Sequence, residues 1–360
     1  MTGIYIHIPY CVKKCGYCDF YSVCDLSTAD AYTDSVCSRL DKLDCIADTL
    51  YFGGGTPSLL GGERIASIVC SAKGLLTHDA EITVEVNPGD DLHEFLPIVA
   101  RAGVNRLSIG MQSHNDEELR LLTRRHTAAQ VDSAIRIAKQ SGIFNISLDV
   151  MLGIEGQTER TLDETLRFCS ESGATHVSAY MLKIESGTPF ETAEFRPDDD
   201  RQCELYGYAV DKLAELGFAQ YEISNFCRDG MYSRHNMKYW TDEDYIGIGA
   251  AAHSYVDGKR LYYPRDIDSF IRGGSQVFDG MGGGFEETVM LRLRLKSGLD
   301  LNKLLRDYPE ENKRIDSIID LSKQLRATGL INYSDNVVSL TTDGFLVSNE
   351  IIARFIGNFD

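Results

Sequence analysis

Residues 4–20 read Ile-Tyr-Ile-His-Ile-Pro-Tyr-Cys-Val-Lys-Lys-Cys-Gly-Tyr-Cys-Asp-Phe, and this stretch decides the fold. The apolar run Ile4–Ile8 predicts a strand that stops at Pro9. Cys11, Cys15 and Cys18 follow at once in C-x3-C-x2-C spacing. Three thiols packed into eight residues are poorly placed to serve as structural cross-links. They can converge on a soft metal centre, and iron–sulfur clusters are held by thiolates in such loops. Three ligands for a four-iron cluster leave one iron open to a further ligand, as a catalytic zinc keeps a free position. That points to chemistry at a cluster rather than to electron storage.

Working outward, the 360 residues suit one large domain and a smaller one, and a hydrophobic content of 43% is ample for a core. The net charge of −18 argues against nucleic acid as a partner and against electrostatic docking on anionic lipid. No apolar window is long enough for a membrane span, which leaves at most peripheral membrane contact. The first strand begins without a leader sequence, so the expected location is cytoplasmic. Of the ten cysteines, the seven outside the cluster motif have no paired spacing and read as reduced, small apolar residues. Cys24 is the one spare ligand candidate among them.

Apolar β-branched runs recur with helical stretches between them. The predicted strands are Ile4–Ile8, Thr49–Phe52, Glu81–Val86, Arg106–Met111, Asn145–Leu152 and His176–Ile184. Strand–helix units at intervals of roughly 25–35 residues imply parallel strands with right-handed crossovers. The fold class is α/β: a partial (β/α)6 barrel first, a flat doubly wound sheet second. Both put functional groups at the C-terminal ends of strands. Gly53–Thr56, Glu85 with Asn87, Gln112 and Asp149 fall there. Gly53-Gly54-Gly55 lacks the Lys of a phosphate loop, which argues against a nucleoside triphosphate site. The glycines instead permit close backbone approach to a ligand, and backbone groups there could hold an amino acid's ammonium.

Beyond residue 185 the pattern changes. Residues 1–185 read as the barrel core and 186–284 as a barrel extension and cleft region. Residues 285–360 read as a smaller, mainly helical C-terminal domain resembling a winged helix. Tyr221–Ser224 predicts an edge strand, Tyr245–Tyr255 a small, flexible cleft lining, and Asp343–Phe355 a last helix. Within the extension, Tyr232–Trp240 is dense in polar and aromatic side chains and holds the only tryptophan.

The cluster motif, Cys11-x3-Cys15-x-Tyr17-Cys18, is that of radical S-adenosylmethionine (AdoMet, SAM) proteins. Tyr5–Pro9, Gly53–Pro57, Glu85–Pro88, Gly110–Ser113, Leu122–His126 and Asp149–Gly153 resemble, in order, the blocks of the oxygen-independent coproporphyrinogen III oxidase family. Within that family, His235-Asn236-Met237-Lys238-Tyr239-Trp240 is similar to the H-N-x-x-Y-W signature of the heme-chaperone branch. The resemblance implies a [4Fe–4S] cluster on Cys11, Cys15 and Cys18, with AdoMet chelating the open iron. It implies AdoMet or cluster contacts from Tyr5, Tyr17, Gly54, Gly55, Thr56, Glu85, Gln112, Arg124 and Asp149. It also implies a heme site at His235, Lys238, Tyr239 and Trp240, with His7 and His253 as weaker candidates. An apo-heme-protein acceptor and an electron donor are the implied partners, and both a monomer and a homodimer are compatible.

Two departures separate the branches. The decarboxylating oxidase carries a further Cys two residues after the third ligand, where this chain has Phe20, and it has an N-terminal extension where this chain opens on the strand. The loop Gly153-Ile154-Glu155-Gly156-Gln157-Thr158 also departs from the family's usual Gly-Leu-Pro-Gly-Gln-Thr. The expectation is a heme carrier on a radical SAM scaffold that binds AdoMet, with AdoMet cleavage left open. The alternative is a radical SAM enzyme acting on a porphyrinogen.

Overall fold

Six parallel strands form the centre of the molecule in strict sequence order: β1 (Thr2–Ile8), β2 (Ala47–Gly54), β3 (Leu76–Val86), β4 (Arg106–Gln112), β5 (Asn145–Leu152) and β6 (His176–Met181). The computed structural model describes residues 1–357. A doubly wound sheet would reverse its strand order once. Here there is no reversal, and the partial (β/α)6 barrel is the fold.

The strands are not uniformly apolar. Each alternates with period two, because successive side chains of a strand face opposite sides. Ile4, Ile6 and Ile8 of β1, Leu50 and Phe52 of β2, and Leu107 and Ile109 of β4 join the buried cluster beneath the crossover helices. Their neighbours face the barrel interior. At about 25 cal/mol per Å², burying each large apolar side chain contributes roughly 2 kcal/mol, so this outer layer carries much of the stability. The inner face carries polarity: Thr49 and Glu81 low in the barrel, Tyr51 above them, and Glu85, Ser108 and Asp149 at the cavity.

Short strands extend the sheet at both edges. β7 (Ala219–Gln220) and β8 (Asn225–Cys227) continue it antiparallel beyond β6. Residues Tyr221–Ser224, expected as a strand, are the turn between them. The buried Glu222 carboxylate accepts from Ser224 N at 3.0 Å and from Asn225, which bends the chain there. Beyond β1 lie β9 (Tyr245–Ile248), parallel to it, then β10 (His253–Val256), β11 (Lys259–Tyr262) and β12 (Val277–Met281), all antiparallel. The expected flexible lining at 245–255 is thus ordered sheet. Its small residues serve close packing: a Cβ on Gly247 would lie 2.1 Å from the His253 carbonyl, and one on Gly249 would lie 2.5 Å from the Tyr32 hydroxyl.

The C-terminal part has helices Phe285–Arg292, Leu301–Asp307 and Asn312–Arg326. They pack with a three-stranded antiparallel sheet of β13 (Leu299–Asp300), β14 (Ile331–Ser334) and β15 (Val337–Leu340). The expected last helix is two, Thr342–Leu346 and Ser348–Gly357, broken where Val347 leaves helical geometry at φ −113°. The final three residues of the expected C-terminal domain lie outside the described residues. No described helix is long and apolar enough to cross a membrane.

Candidate functional site

The C-terminal ends of the six strands open into a cavity of about 460 Å³. Cys11, Cys15 and Cys18 line it, all free and half-buried. Their loop is held from several sides. Cys11 N donates to Val23 O at 2.9 Å, and Gly16 N donates to Thr123 Oγ1 at 2.8 Å. Phe190, on the strand-to-helix connection after β6, donates its N–H to Gly16 O at 2.9 Å. The Phe190 ring lies so close that a Cβ on Gly16 would sit 2.2 Å from it. That contact explains the glycine between two cysteines.

Gly54, Gly55 and Thr56 form the adjoining wall. Gly55 N donates to Ile8 O and Thr56 N to Tyr10 O, each at 2.8 Å. These N–H groups tie the glycine loop to β1 and the residues that follow it, and an ammonium ligand would be held by carbonyl groups instead. A Cβ on Gly55 would lie 2.6 Å from the Tyr10 carbonyl, and Gly54 has φ +107° with the His7 ring against it. Close approach is the reason for the glycines, and it is approach to β1.

Two carboxylates face the cavity. Glu85 accepts from the Tyr51 hydroxyl at 2.8 Å, and burial, with Asp149 nearby, pushes its pKa up to about 7. Asp149 accepts from Ser108 Oγ at 3.3 Å, and burial pushes it up to about 6. Arg124 reaches across the site. Nη2 donates to Gly110 O at 2.7 Å, Nη1 lies 3.4 Å from both Cys15 Sγ and the Tyr17 hydroxyl, and buried Nε has no partner. The Tyr17 phenol is pushed up to about 12 by burial, and its ring packs on Phe190 with centroids 6.2 Å apart. Gln112 lines the cavity at a left-handed φ of 68°. A non-glycine residue there is held by its surroundings, as is common at functional sites.

Tyr17, Gly54, Gly55, Thr56, Glu85, Gln112, Arg124, Asp149 and the three cysteines therefore share one cavity. Tyr5 does not line it. Its ring lies deeper in the barrel beside Tyr51, at 6.1 Å between centroids, and its hydroxyl bonds His7 Nδ1 at 3.1 Å. Sequence reading missed Thr123, Ser108, Tyr180 and Met181. Thr123 was visible only as part of the Leu122–His126 block, and the others carried no signal of their own.

The His235 block lies at the opposite end of the barrel. Helix Arg234–Thr241 closes the floor, its first N–H groups meeting the Glu81 carboxylate at 3.3 Å. That places negative charge at a helix N-terminus. His235 is buried. Nδ1 pairs with Thr49 Oγ1 at 2.8 Å and Nε2 with the Tyr239 hydroxyl at 3.0 Å. Its ring stacks on Tyr51 at 5.2 Å. Lys238 is buried against Asp48 at 2.8 Å and Glu243 at 3.0 Å. Trp240 is half-buried beside them. In this conformation His235 offers no free nitrogen to an iron, and none of the four candidate heme residues reaches the cavity. His7, bonded to Tyr21 O at 3.0 Å, is likewise satisfied, and His253 stacks on Tyr262 outside the site.

Among the described residues, no group of three His, Cys, Asp or Glu side chains is tight enough for a single metal ion. The three thiols line one cavity beside the unpartnered Arg124 Nε, and thiolates are the donors that iron–sulfur clusters take. The donor set fits a [4Fe–4S] cluster.

The sequence profile of the Radical SAM superfamily matches residues 5–169. Two proteins named heme chaperone HemW align over 99% of this chain, both at 33% identity. The one from Mycobacterium tuberculosis is covered over 95% of its length and the one from Bacillus subtilis over 100%. The chain belongs to the HemW family of radical SAM proteins. The fold likeness extends to the solved coproporphyrinogen III oxidase HemN from Escherichia coli, a radical SAM enzyme. It has a TM-score of 0.84 and 19% identity, over 99% of this chain and 90% of that one. At that identity the likeness is one of fold.

Proposed function

We propose that this chain is a heme carrier of the HemW family: it holds a [4Fe–4S] cluster on Cys11, Cys15 and Cys18, binds AdoMet beside it, and takes heme as cargo for an apo-protein acceptor. The observation that carries the first part is the convergence of three free thiols, two acidic side chains and Arg124 on one cavity at the barrel's C-terminal end. The cargo rests on full-length likeness to proteins named as heme chaperones.

Bound together, cluster and AdoMet supply one-electron chemistry at a sulfonium; the chain's own residues bind, orient and exclude water. Glu85 and Asp149 accept hydrogen bonds from ligand hydroxyl or ammonium groups. Their raised pKa values make the unliganded pair half-protonated near neutrality, so a cationic ligand is favoured as pH rises through 6–7. Arg124 holds the edge of the cluster loop through Cys15 and Tyr17. An electron donor and an acceptor protein complete the reading.

Phe20, 61% exposed at the lip, stands where the decarboxylating oxidase has a further cysteine, and this favours carrier over oxidase. The test is a heme titration of the anaerobically reconstituted protein, run beside a product assay with coproporphyrinogen III. Stoichiometric heme binding without protoporphyrinogen IX is expected. Formation of protoporphyrinogen IX would overturn the reading.

A further inference from the structure

A line of buried polar side chains runs through the barrel from Asp149 toward the floor. Ser147 and Asp149 of β5 and His176 and Ser178 of β6 face the interior at alternate positions, and the strand register sets Ser147 opposite His176 and Asp149 opposite Ser178. The Asp149 carboxylate is bonded by the Ser178 hydroxyl. Ser178 Oγ lies 3.4 Å from Ser147 Oγ, and Ser147 Oγ lies 2.7 Å from His176 Nδ1. The other ring nitrogen, Nε2, lies 2.8 Å from the Tyr221 hydroxyl, which accepts from Ser233 N at 3.4 Å. Ser147 and His176 are fully buried, and Ser178 and Tyr221 nearly so. The Tyr221 ring packs on exposed Tyr232, with 4.7 Å between centroids. The line therefore joins a cavity carboxylate to the far end of the barrel, and it stops at Ser233, the N-cap of helix Arg234–Thr241.

Every link is a hydroxyl or an imidazole, groups that both donate and accept. The line thus has two self-consistent directions. With Asp149 ionised, Ser178 donates to it, Ser147 to Ser178, His176 Nδ1–H to Ser147, and the Tyr221 hydroxyl to His176 Nε2. With Asp149 protonated each bond reverses: Asp149 donates to Ser178, Ser178 to Ser147, Ser147 to Nδ1, and Nε2–H to the Tyr221 oxygen. Passing from the second arrangement to the first moves one proton along each link and releases one from the Tyr221 hydroxyl to water. Burial, with the Arg106 cation nearby, holds the His176 pKa well below the usual range, so the ring exchanges tautomers without storing charge. Burial, with Glu222 nearby, raises the Tyr221 phenol, so it does not stay ionised. Resting on the reading of the cavity as the AdoMet site, we propose that Ser178, Ser147, His176 and Tyr221 form a proton relay through the barrel. It lets Asp149 ionise when a cationic ligand fills the cavity, and carries the proton out at the floor. These four are positioning residues: none lines the cavity, and they act on a ligand only through the charge of Asp149. Glu85, Tyr51, Tyr180, Arg106 and Arg124 face Asp149 and set where it ionises.

Nitrogen-15 NMR of histidine-labelled full-length protein, with the cluster reconstituted and oxidised, reads the tautomer. One neutral imidazole, identified by its loss in His176→Gln, is expected to carry its proton on Nε2 at pH 4.5 and on Nδ1 at pH 8, with the midpoint of Asp149 at about 6. Saturating AdoMet at pH 5 should move that proton to Nδ1, and Asp149→Asn should fix one tautomer at every pH. A pH-indicator dye in stopped flow reads the released proton. Wild type at pH 5 should release it as fast as AdoMet binds. His176→Gln keeps a donor and an acceptor but has no second tautomer, and should release the proton about tenfold more slowly. Tyr221→Phe, at the far end, keeps the ring and should slow release in the same way. Both variants should hold the AdoMet Kd within about threefold of wild type. A single His176 tautomer across the pH range, a charged His176 ring, or release in both variants as fast as in wild type would overturn the relay, because the line would then be core hydrogen bonding and the mouth the proton's exit. Failure of AdoMet to bind while the tautomer still follows pH would overturn the ligand reading and leave the relay standing.

Discussion

The two ends of the barrel use similar residue types for opposite purposes. At the floor, His235, Lys238, Glu81 and Arg106 are buried with partners: Thr49, Tyr239, Asp48 and one another, the Arg106–Glu81 pair at 4.0 Å. At the mouth, Glu85 is bonded by Tyr51 and the Gly54 backbone and Asp149 by Ser108 and Ser178, and both face open volume. The protonation behaviour diverges accordingly. Burial, with Lys238 nearby, pulls His235 down to about 3, whereas burial pushes Glu85 up to about 7. The sign of each follows from linkage. The unfolded chain takes up the His235 proton near 6.5 and the folded chain does not, so this group removes stability as pH falls from 6.5 toward 3. Glu85 ionises near 4.5 when unfolded and near 7 when folded, so it removes stability as pH rises from 4.5 to 7. A floor that resists charging supports the fold. A mouth that resists ionisation until a cation arrives is built for a ligand.

The contrast is sharpest in two substitutions. Cys15→Ala at the mouth should abolish assembly of the four-iron cluster, read as loss of its visible absorbance after anaerobic reconstitution. The urea midpoint of the cluster-free chain should barely move, since the thiol is half-buried and its partner Arg124 keeps Gly110 O. His235→Ala at the floor should do the reverse. It removes a buried ring and leaves the Thr49 and Tyr239 hydroxyls unpaired, costing about 3 kcal/mol of folding stability. Protein that survives should still assemble the cluster. A full heme loss in folded, cluster-loaded His235→Ala would break the comparison, because it would make the floor a ligand site.

The sequence could be read for one end better than the other, and the reason is geometric. The three cysteines, Glu85, Gln112 and Asp149 end successive strands, so the parallel topology alone puts them at one rim. The His235 block lies on a helix outside the six-unit repeat, and nothing local says to which rim that helix returns. Its destination depends on contacts with Asp48, Thr49 and Glu81, more than 150 positions earlier in the chain. Tyr5 was misplaced for a related reason: it shares the β1 strand with the cluster approach, but sits low enough to face Tyr51 and His235. β9 escaped notice because Tyr245–Ile248 is only four residues long and runs into small residues, and pairing with β1 outweighs its weak signal. The six-strand core was legible because apolar, β-branched runs recur at regular intervals with helical stretches between them.

A smaller effect probes the charged pairs. Lys238→Met removes a cation whose side chain is 2% exposed and strips Asp48 of its nearer partner, leaving Arg234 at 3.3 Å. A loss of about 2 kcal/mol is expected. Lys183→Met breaks a pair 78% exposed on the lysine side, and should change stability by less than about 0.5 kcal/mol. Equal losses in chemical denaturation would deny that floor and mouth differ in how they use charge.

Glu85→Gln is expected to gain stability rather than lose it, and the sign of that change is the informative part. The amide keeps an acceptor for the Tyr51 hydroxyl and no longer ionises in the cavity. The variant should therefore match wild type at pH 4.5 and exceed it in thermal midpoint at pH 8, where the wild-type carboxylate carries its full burial penalty. AdoMet affinity should move the other way, falling about tenfold at pH 8 with loss of a charge-assisted hydrogen bond. The wild-type gain in affinity between pH 6 and 7 should flatten. A residue that serves the fold would lose stability when neutralised; one held in strain for a ligand gains stability and loses binding. If Glu85→Gln lowered the midpoint at pH 8 and left AdoMet affinity intact, the mouth would be a second floor.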